Sequence, residues 1–120
     1  MNILVLGDVF GQPGVRAVKE KLPQIIEEKK IDFVIINGEN AGDQGVGITK
    51  KNTEDLFDAG ADVITSGNHV WDEKETMGFI SKEKRLLRPE NSLKPSPGNG
   101  FGVFQSKNKK KVGVINLMGN

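Results

Sequence analysis

Residues 3–7 form a short, almost unbroken apolar run, which predicts a strand buried on both faces, as in a parallel sheet covered by helices. Gly11, Pro13 and Gly14 then read as a turn, and Pro13 can open a helix because its missing N–H is harmless in the first turn. Val15, Val18, Leu22, Ile25 and Ile26 recur at helical spacing through about residue 29. Pro23 falls inside that stretch and is expected to bend or interrupt it, since it removes an internal hydrogen bond. Residues 32–37 predict a second buried strand, and the glycine-rich stretch 41–47 a loop. Thr49 can cap a helix running to about Ala59 and carrying Leu56 and Phe57, with Gly60 as its stop. Residues 62–66 predict a third strand. Asp72 and Glu75 have capping-box spacing, which predicts a helix carrying Met77, Phe79 and Ile80. Leu86, Leu87 and Arg88 read as a short fourth strand, and residues 91–100, with Pro95, Pro97 and Gly98, as a loop. Residues 101–105 and 111–117 read as two further strands joined across 106–110.

Strand–helix–strand alternation implies an α/β fold with right-handed crossovers and a mainly parallel sheet with flanking helices. Neither an internal repeat nor a sharp compositional boundary divides the chain, so residues 1–120 are read as a single domain. At 36% hydrophobic content it can build a core of modest size. The net charge of +1 gives no field that calls for DNA or an anionic membrane, and specific DNA binding is not expected. Lys107, Lys109, Lys110 and Lys111 read as a solvated turn between strands. Without cysteine the chain has neither a disulfide framework nor a zinc–thiolate site, and its first residues lack the basic and apolar regions of a signal peptide. These features fit a cytoplasmic protein without a membrane span.

The candidate chemistry lies where apolar runs end. The first strand ends in Gly7-Asp8, the second in Asn37-Gly38-Glu39-Asn40, and the third in Ser66-Gly67-Asn68-His69. Ligands of parallel sheets bind beyond the carboxyl ends of the strands, where the side chains of Asp8, Glu39, Asn40, Asn68 and His69 would fall. Asp8 can bind a cation through oxygen, or it can cap a turn. Glu39 and Asn40 place a carboxylate and an amide oxygen together, and a carboxylate can bridge two cations; the plain alternative is a loop capping its own backbone. Asn68 offers a neutral oxygen. His69, the chain's single histidine, can be a ligand or a proton donor; the plain alternative is an ordinary surface or core residue. The segment 7–14 lacks the Gly-Lys-Ser/Thr of a P-loop and the glycine spacing of a dinucleotide fingerprint. Trp71 is read as packing over the site or in the core.

Gly7-Asp8-Val9, Asn37-Gly38-Glu39-Asn40, Gly67-Asn68-His69-Val70-Trp71-Asp72, Arg88-Pro89-Glu90-Asn91 and Val114-Ile115-Asn116-Leu117 resemble, in order and spacing, the calcineurin-like metallophosphoesterase superfamily. More narrowly, they resemble its bacterial YmdB-like branch of 2′,3′-cyclic-nucleotide 2′-phosphodiesterases. The resemblance runs from Met1 to Asn120. It implies the N-terminal half of an αββα sandwich, with two divalent metal ions, iron or manganese, at the strand ends. Asp8 would bind the first metal, Glu39 would bridge both, Asn40 would help the first and Asn68 would bind the second. A metal-held hydroxide would attack phosphorus in a phosphate ester such as a cyclic nucleotide, and His69 would protonate the departing oxygen.

Two departures from the broad pattern carry consequences. Phe10 stands where many superfamily members have a histidine ligand, which favours Asn40 as the substitute. The later histidine ligands of the family have no counterpart, since His69 is the only histidine. The chain is therefore expected to carry part of a metal site, to be weakly active or inactive alone, and to pair with a complementary C-terminal fragment or form a homo-oligomer. The competing readings are a non-catalytic nucleotide- or metal-binding module and an oligomeric regulatory protein.

Overall fold

The computed structural model describes residues 1–93 and 95–119. Its strands are β1 (Ile3–Leu6), β2 (Phe33–Asn37), β3 (Val63–Thr65), β4 (Phe101–Gln105) and β5 (Lys111–Ile115); its helices are α1 (Gly11–Glu28), α2 (Lys50–Ala59) and α3 (Thr76–Phe79). The first three strands make one parallel sheet in the order β1-β2-β3, with Leu6 opposite Ile36 and Asn37 opposite Thr65. The residues read as a fourth strand extend it: Leu86 bridges Ile64 in parallel and Leu87 bridges Asn99. β4 and β5 form a separate antiparallel hairpin, Phe101 opposite Ile115 and Gln105 opposite Lys111.

Alternation along β2 explains why its apolar run has no polar break. Val34 and Ile36 face the helices, in a cluster with Val15, Val18 and Leu22 of α1, Leu56 of α2 and Ile64 of β3. Phe33 and Ile35 face the other way and pack with Val63 and Leu87 against Phe104, Val112 and Val114 of the hairpin. Both faces of β2 are thus covered, which a period of two in an all-apolar strand requires.

β1 departs from expectation. Leu4 and Leu6 pack against the helices, but Ile3 is 43% and Val5 64% exposed. β1 lies at the sheet edge, and the hairpin packs on residues of β2, β3 and the Leu87 segment. The outer side of the hairpin is also open: Phe101, Val103 and Ile115 are exposed.

The helices differ from expectation at two places: Pro23 does not interrupt α1, and the Asp72/Glu75 pair does not cap α3. α1 runs unbroken through Pro23, which is exposed. Burial of Val15, Val18 and Leu22 holds the helix, and a carbonyl freed at a solvent-facing position can be met by water. Asp72 and Glu75 do not cap α3. Asn68–Trp71 form a 3-10 turn, and α3 begins later without a side-chain cap. Tertiary partners take both carboxylates: Asp72 binds His69, and Glu75 accepts the Lys50 N–H at 2.9 Å. Of the expected apolar stripe, Ile80 is buried, Phe79 is half-buried and Met77 is exposed.

The cap of α2 matches expectation. Thr49 Oγ1 accepts the Asn52 N–H at 3.0 Å while Asn52 Oδ1 accepts the Thr49 N–H at 3.0 Å, a reciprocal box with asparagine in the usual Glu/Gln place. Gly60 follows with φ 125°, a conformation that glycine adopts without strain. Thr49→Ala is expected to cost about 1 kcal/mol in denaturant unfolding, with Thr49→Ser recovering most of it. Among the described residues no helix is long and apolar enough to cross a membrane.

Candidate functional site

The parallel register brings the three strand ends to one edge. Hydrogen bonds continue the ladder past the strands: Val9 N–H donates to Asn37 O at 3.0 Å, Gly11 N–H to Asn40 O at 2.8 Å, and Gly38 N–H to Thr65 O at 2.9 Å. The segments bearing Asp8, Glu39-Asn40 and Asn68-His69 are therefore tied side by side. Neighbouring strands lie about 4.8 Å apart, so the outer two segments start roughly 10 Å apart in the main chain.

Two contacts join the side chains across this edge. Asn40 Nδ2 donates to Asp8 Oδ1 at 2.8 Å. That bond commits the amide nitrogen to Asp8 and leaves the amide oxygen of Asn40 available as a donor to a cation. Glu39 Oε1 accepts the His69 N–H at 3.2 Å, while the Glu39 N–H donates to Asn37 Oδ1 at 3.0 Å. The Glu39 carboxylate lies flat against Gly67, where an added Cβ would overlap all three carboxylate atoms. Gly67 is thus needed for space: its absent side chain is the room that Glu39 occupies. Asn68 is exposed, and among the described residues its side chain makes no hydrogen bond.

His69 points its Nδ1 at Asp72 Oδ2, 2.7 Å away, with both side chains partly exposed. The imidazole pKa is raised above its ordinary value. The hydrogen bond to Asp72 is the main cause; partial desolvation opposes it, and attraction to the Asp72 and Glu39 charges adds to it.

Among the described residues no three of the His, Cys, Asp and Glu side chains converge into a ready-made metal cage. The donors at this edge are instead two carboxylates, Asp8 and Glu39, and two amides, Asn40 and Asn68. Such oxygen donors suit a hard or borderline divalent cation and supply part of a coordination sphere.

The surroundings are structural. The glycine-rich loop is folded on itself, with Gly42 N–H donating to Gly47 O at 2.8 Å and the Phe10 ring over Gly45. Trp71 packs against the core as expected. Buried Asn116 donates through Nδ2 to Ser66 O at 2.9 Å and to Leu87 O at 3.1 Å, and Ser66 Oγ donates to Leu87 O at 2.7 Å. These bonds hold the third strand end from behind. A cavity of about 620 Å³ opens beside the strand ends rather than over them, between α1 and the start of α2; of its charged lining, Lys19 and Lys51 pair with Asp55, and Arg16, Glu20 and Asp43 complete it.

Three contributors, Gly67, Asp72 and Asn116, fall within the quoted motifs but carry no site role there. Asp72 matches a capping pattern, although its i+3 spacing from His69 is also the spacing at which side chains of a 3-10 turn eclipse. Gly67 and Asn116 act through tertiary contacts that no local pattern announces.

A family model described as "YmdB-like protein" matches residues 4–120. The chain is 46% identical over 119 residues to the 2′,3′-cyclic-nucleotide 2′-phosphodiesterase of Bacillus subtilis (strain 168), covering 99% of this chain and 44% of that one. Among solved structures it is similar to a hypothetical protein from Thermus thermophilus, with a TM-score of 0.88 and 36% identity over 99% of this chain and 45% of the other. It is also similar to a phosphatase of Mycoplasma pneumoniae, with a TM-score of 0.87 and 36% identity over 98% of this chain and 42% of the other. The chain thus spans less than half the length of the relatives it matches.

Proposed function

The chain belongs to the YmdB-like protein family, and we propose that it forms part of a metal-dependent phosphodiesterase acting on phosphate esters such as 2′,3′-cyclic nucleotides. The observation that carries this reading is the meeting of Asp8 with Asn40 and of Glu39 with the His69 segment at one sheet edge. The name of the Bacillus relative supports the substrate class.

In this reading Asp8, Glu39, Asn40 and Asn68 would hold two divalent cations, iron or manganese, with Glu39 contributing to both. Cations held there supply Lewis acidity toward the phosphoryl oxygens and lower the pKa of a water. Asp8 and Glu39 give two negative charges, so part of the coordination sphere comes from outside this set. His69 sits beside the oxygen donors with Asp72 on its Nδ1, and it gives a proton to the sugar oxygen that departs as its bond to phosphorus breaks. The exposed apolar side chains Ile3, Val5, Phe101, Val103 and Ile115 support association with a complementary fragment or a second copy. We place the reaction in the cytoplasm, in keeping with a chain without cysteine.

The test is hydrolysis of 2′,3′-cyclic AMP by this chain and by a longer protein that contains it, with Mn²⁺ or Fe²⁺ and after chelation. The longer protein is expected to turn over only with metal, and Glu39→Gln to lose both bound metal and turnover. Hydrolysis that survives chelation, or stoichiometric metal without hydrolysis, contradicts the reading. The latter result favours a binding module.

A further inference from the structure

We propose that Asp72 is the positioning residue of His69, holding a proton on Nδ1 so that Nε2 is the nitrogen presented to the departing oxygen. The proposal rests on the reading of His69 as proton donor and adds a residue that this reading does not contain.

The geometry is local and doubly fixed. Asp72 Oδ2 lies 2.7 Å from Nδ1, and the Asp72 N–H donates to His69 O at 3.0 Å. Side chain and main chain of the two residues are therefore bonded to each other across one 3-10 turn. The turn itself is anchored: Val70 is fully buried, its N–H donates to Gly67 O at 3.1 Å, and Trp71 packs against the core. An ionised carboxylate only accepts, so Nδ1 must be the donor in this contact. A neutral imidazole has two tautomers, and the partner of one nitrogen selects which is present. Glu39 does not compete for the ring, because its carboxylate takes the His69 main-chain N–H. Asp72 thus sets both the tautomer and the ring direction, the role a second carboxylate plays for many functional histidines.

The single histidine makes the test direct, because one imidazole gives one set of ring ¹⁵N signals. The spectrum is recorded on the whole chain with chelator present, at a pH above the imidazole titration. The parent protein is expected to carry the proton on Nδ1, and Asp72→Ala to shift the population toward Nε2–H with an otherwise unchanged amide spectrum. In the longer, metal-loaded protein, Asp72→Ala is expected to lower kcat about 10- to 100-fold with little change in KM, and Asp72→Glu to recover part of the loss. A parent spectrum with the proton on Nε2, or a tautomer indifferent to Asp72→Ala, overturns the proposal even if the variant misbehaves in the assay. The expected tautomer in a protein whose turnover does not depend on His69 overturns the proton-donor reading instead and leaves the Asp72 contact standing.

Discussion

His69→Ala is expected to lower phosphodiester turnover by about 10²–10⁴-fold while leaving metal content close to that of the parent protein. The reasoning starts from what His69 touches. Its ring is engaged by Asp72, and its main-chain N–H by Glu39. Alanine removes the ring but keeps the N–H, so the Glu39 carboxylate retains that partner and the oxygen donors keep their places. Loss should therefore fall on proton transfer and not on assembly of the site. Partial exposure of the ring also means that little packing is lost. The check is paired: steady-state kinetics in a longer protein containing this chain, and metal content by elemental analysis. Loss of metal in parallel with activity would make His69 a ligand. Unchanged turnover would remove it from the reaction.

Gly67→Ala is expected to weaken metal binding by about 10- to 100-fold, comparable to loss of a supporting contact around a metal ligand. A Cβ at Gly67 would fall on the Glu39 carboxylate, and the glycine itself is buried. Glu39 must swing away or the strand end must shift, and either movement separates the carboxylate from the His69 N–H. Overpacking of this kind costs about 1–3 kcal/mol of stability. Gly113→Ala is the control, because Gly113 has open space where its Cβ would stand. Calorimetric metal titration of both variants in the longer protein decides the matter, with denaturant unfolding to follow stability. Equal metal affinity for Gly67→Ala and the parent would mean that Glu39 is not a ligand where it now rests.

The places where sequence reasoning and structure part share a cause. The runs at residues 3–7 and 32–37 look alike in composition, yet the second is covered on both faces and the first on one. The difference is that the hairpin, more than sixty residues beyond β2, packs over that strand and not over the outer face of β1. Pro23 is locally a helix breaker, but α1 is held by its buried side and continues. Asp72 and Glu75 match a capping pattern, but each finds a different partner outside it.

Periodicity and strand-end chemistry, by contrast, survive folding because they depend on near neighbours. The spacing of Val15, Val18 and Leu22, the Thr49 cap and the Gly60 stop are local facts, and the chain obeys them. So is the arrival of Asp8, Glu39-Asn40 and Asn68-His69 immediately after apolar runs, which, once the runs pair in parallel, leads to a shared edge. Tertiary structure alone decided which of these groups touch: Asp8 with Asn40, Glu39 with the His69 main chain through the space at Gly67, and His69 with Asp72. Contacts of that kind depend on ångström-scale register between distant segments and on the turn that follows β3. Hydrophobic pattern specifies which face of an element is buried but carries no information at that resolution.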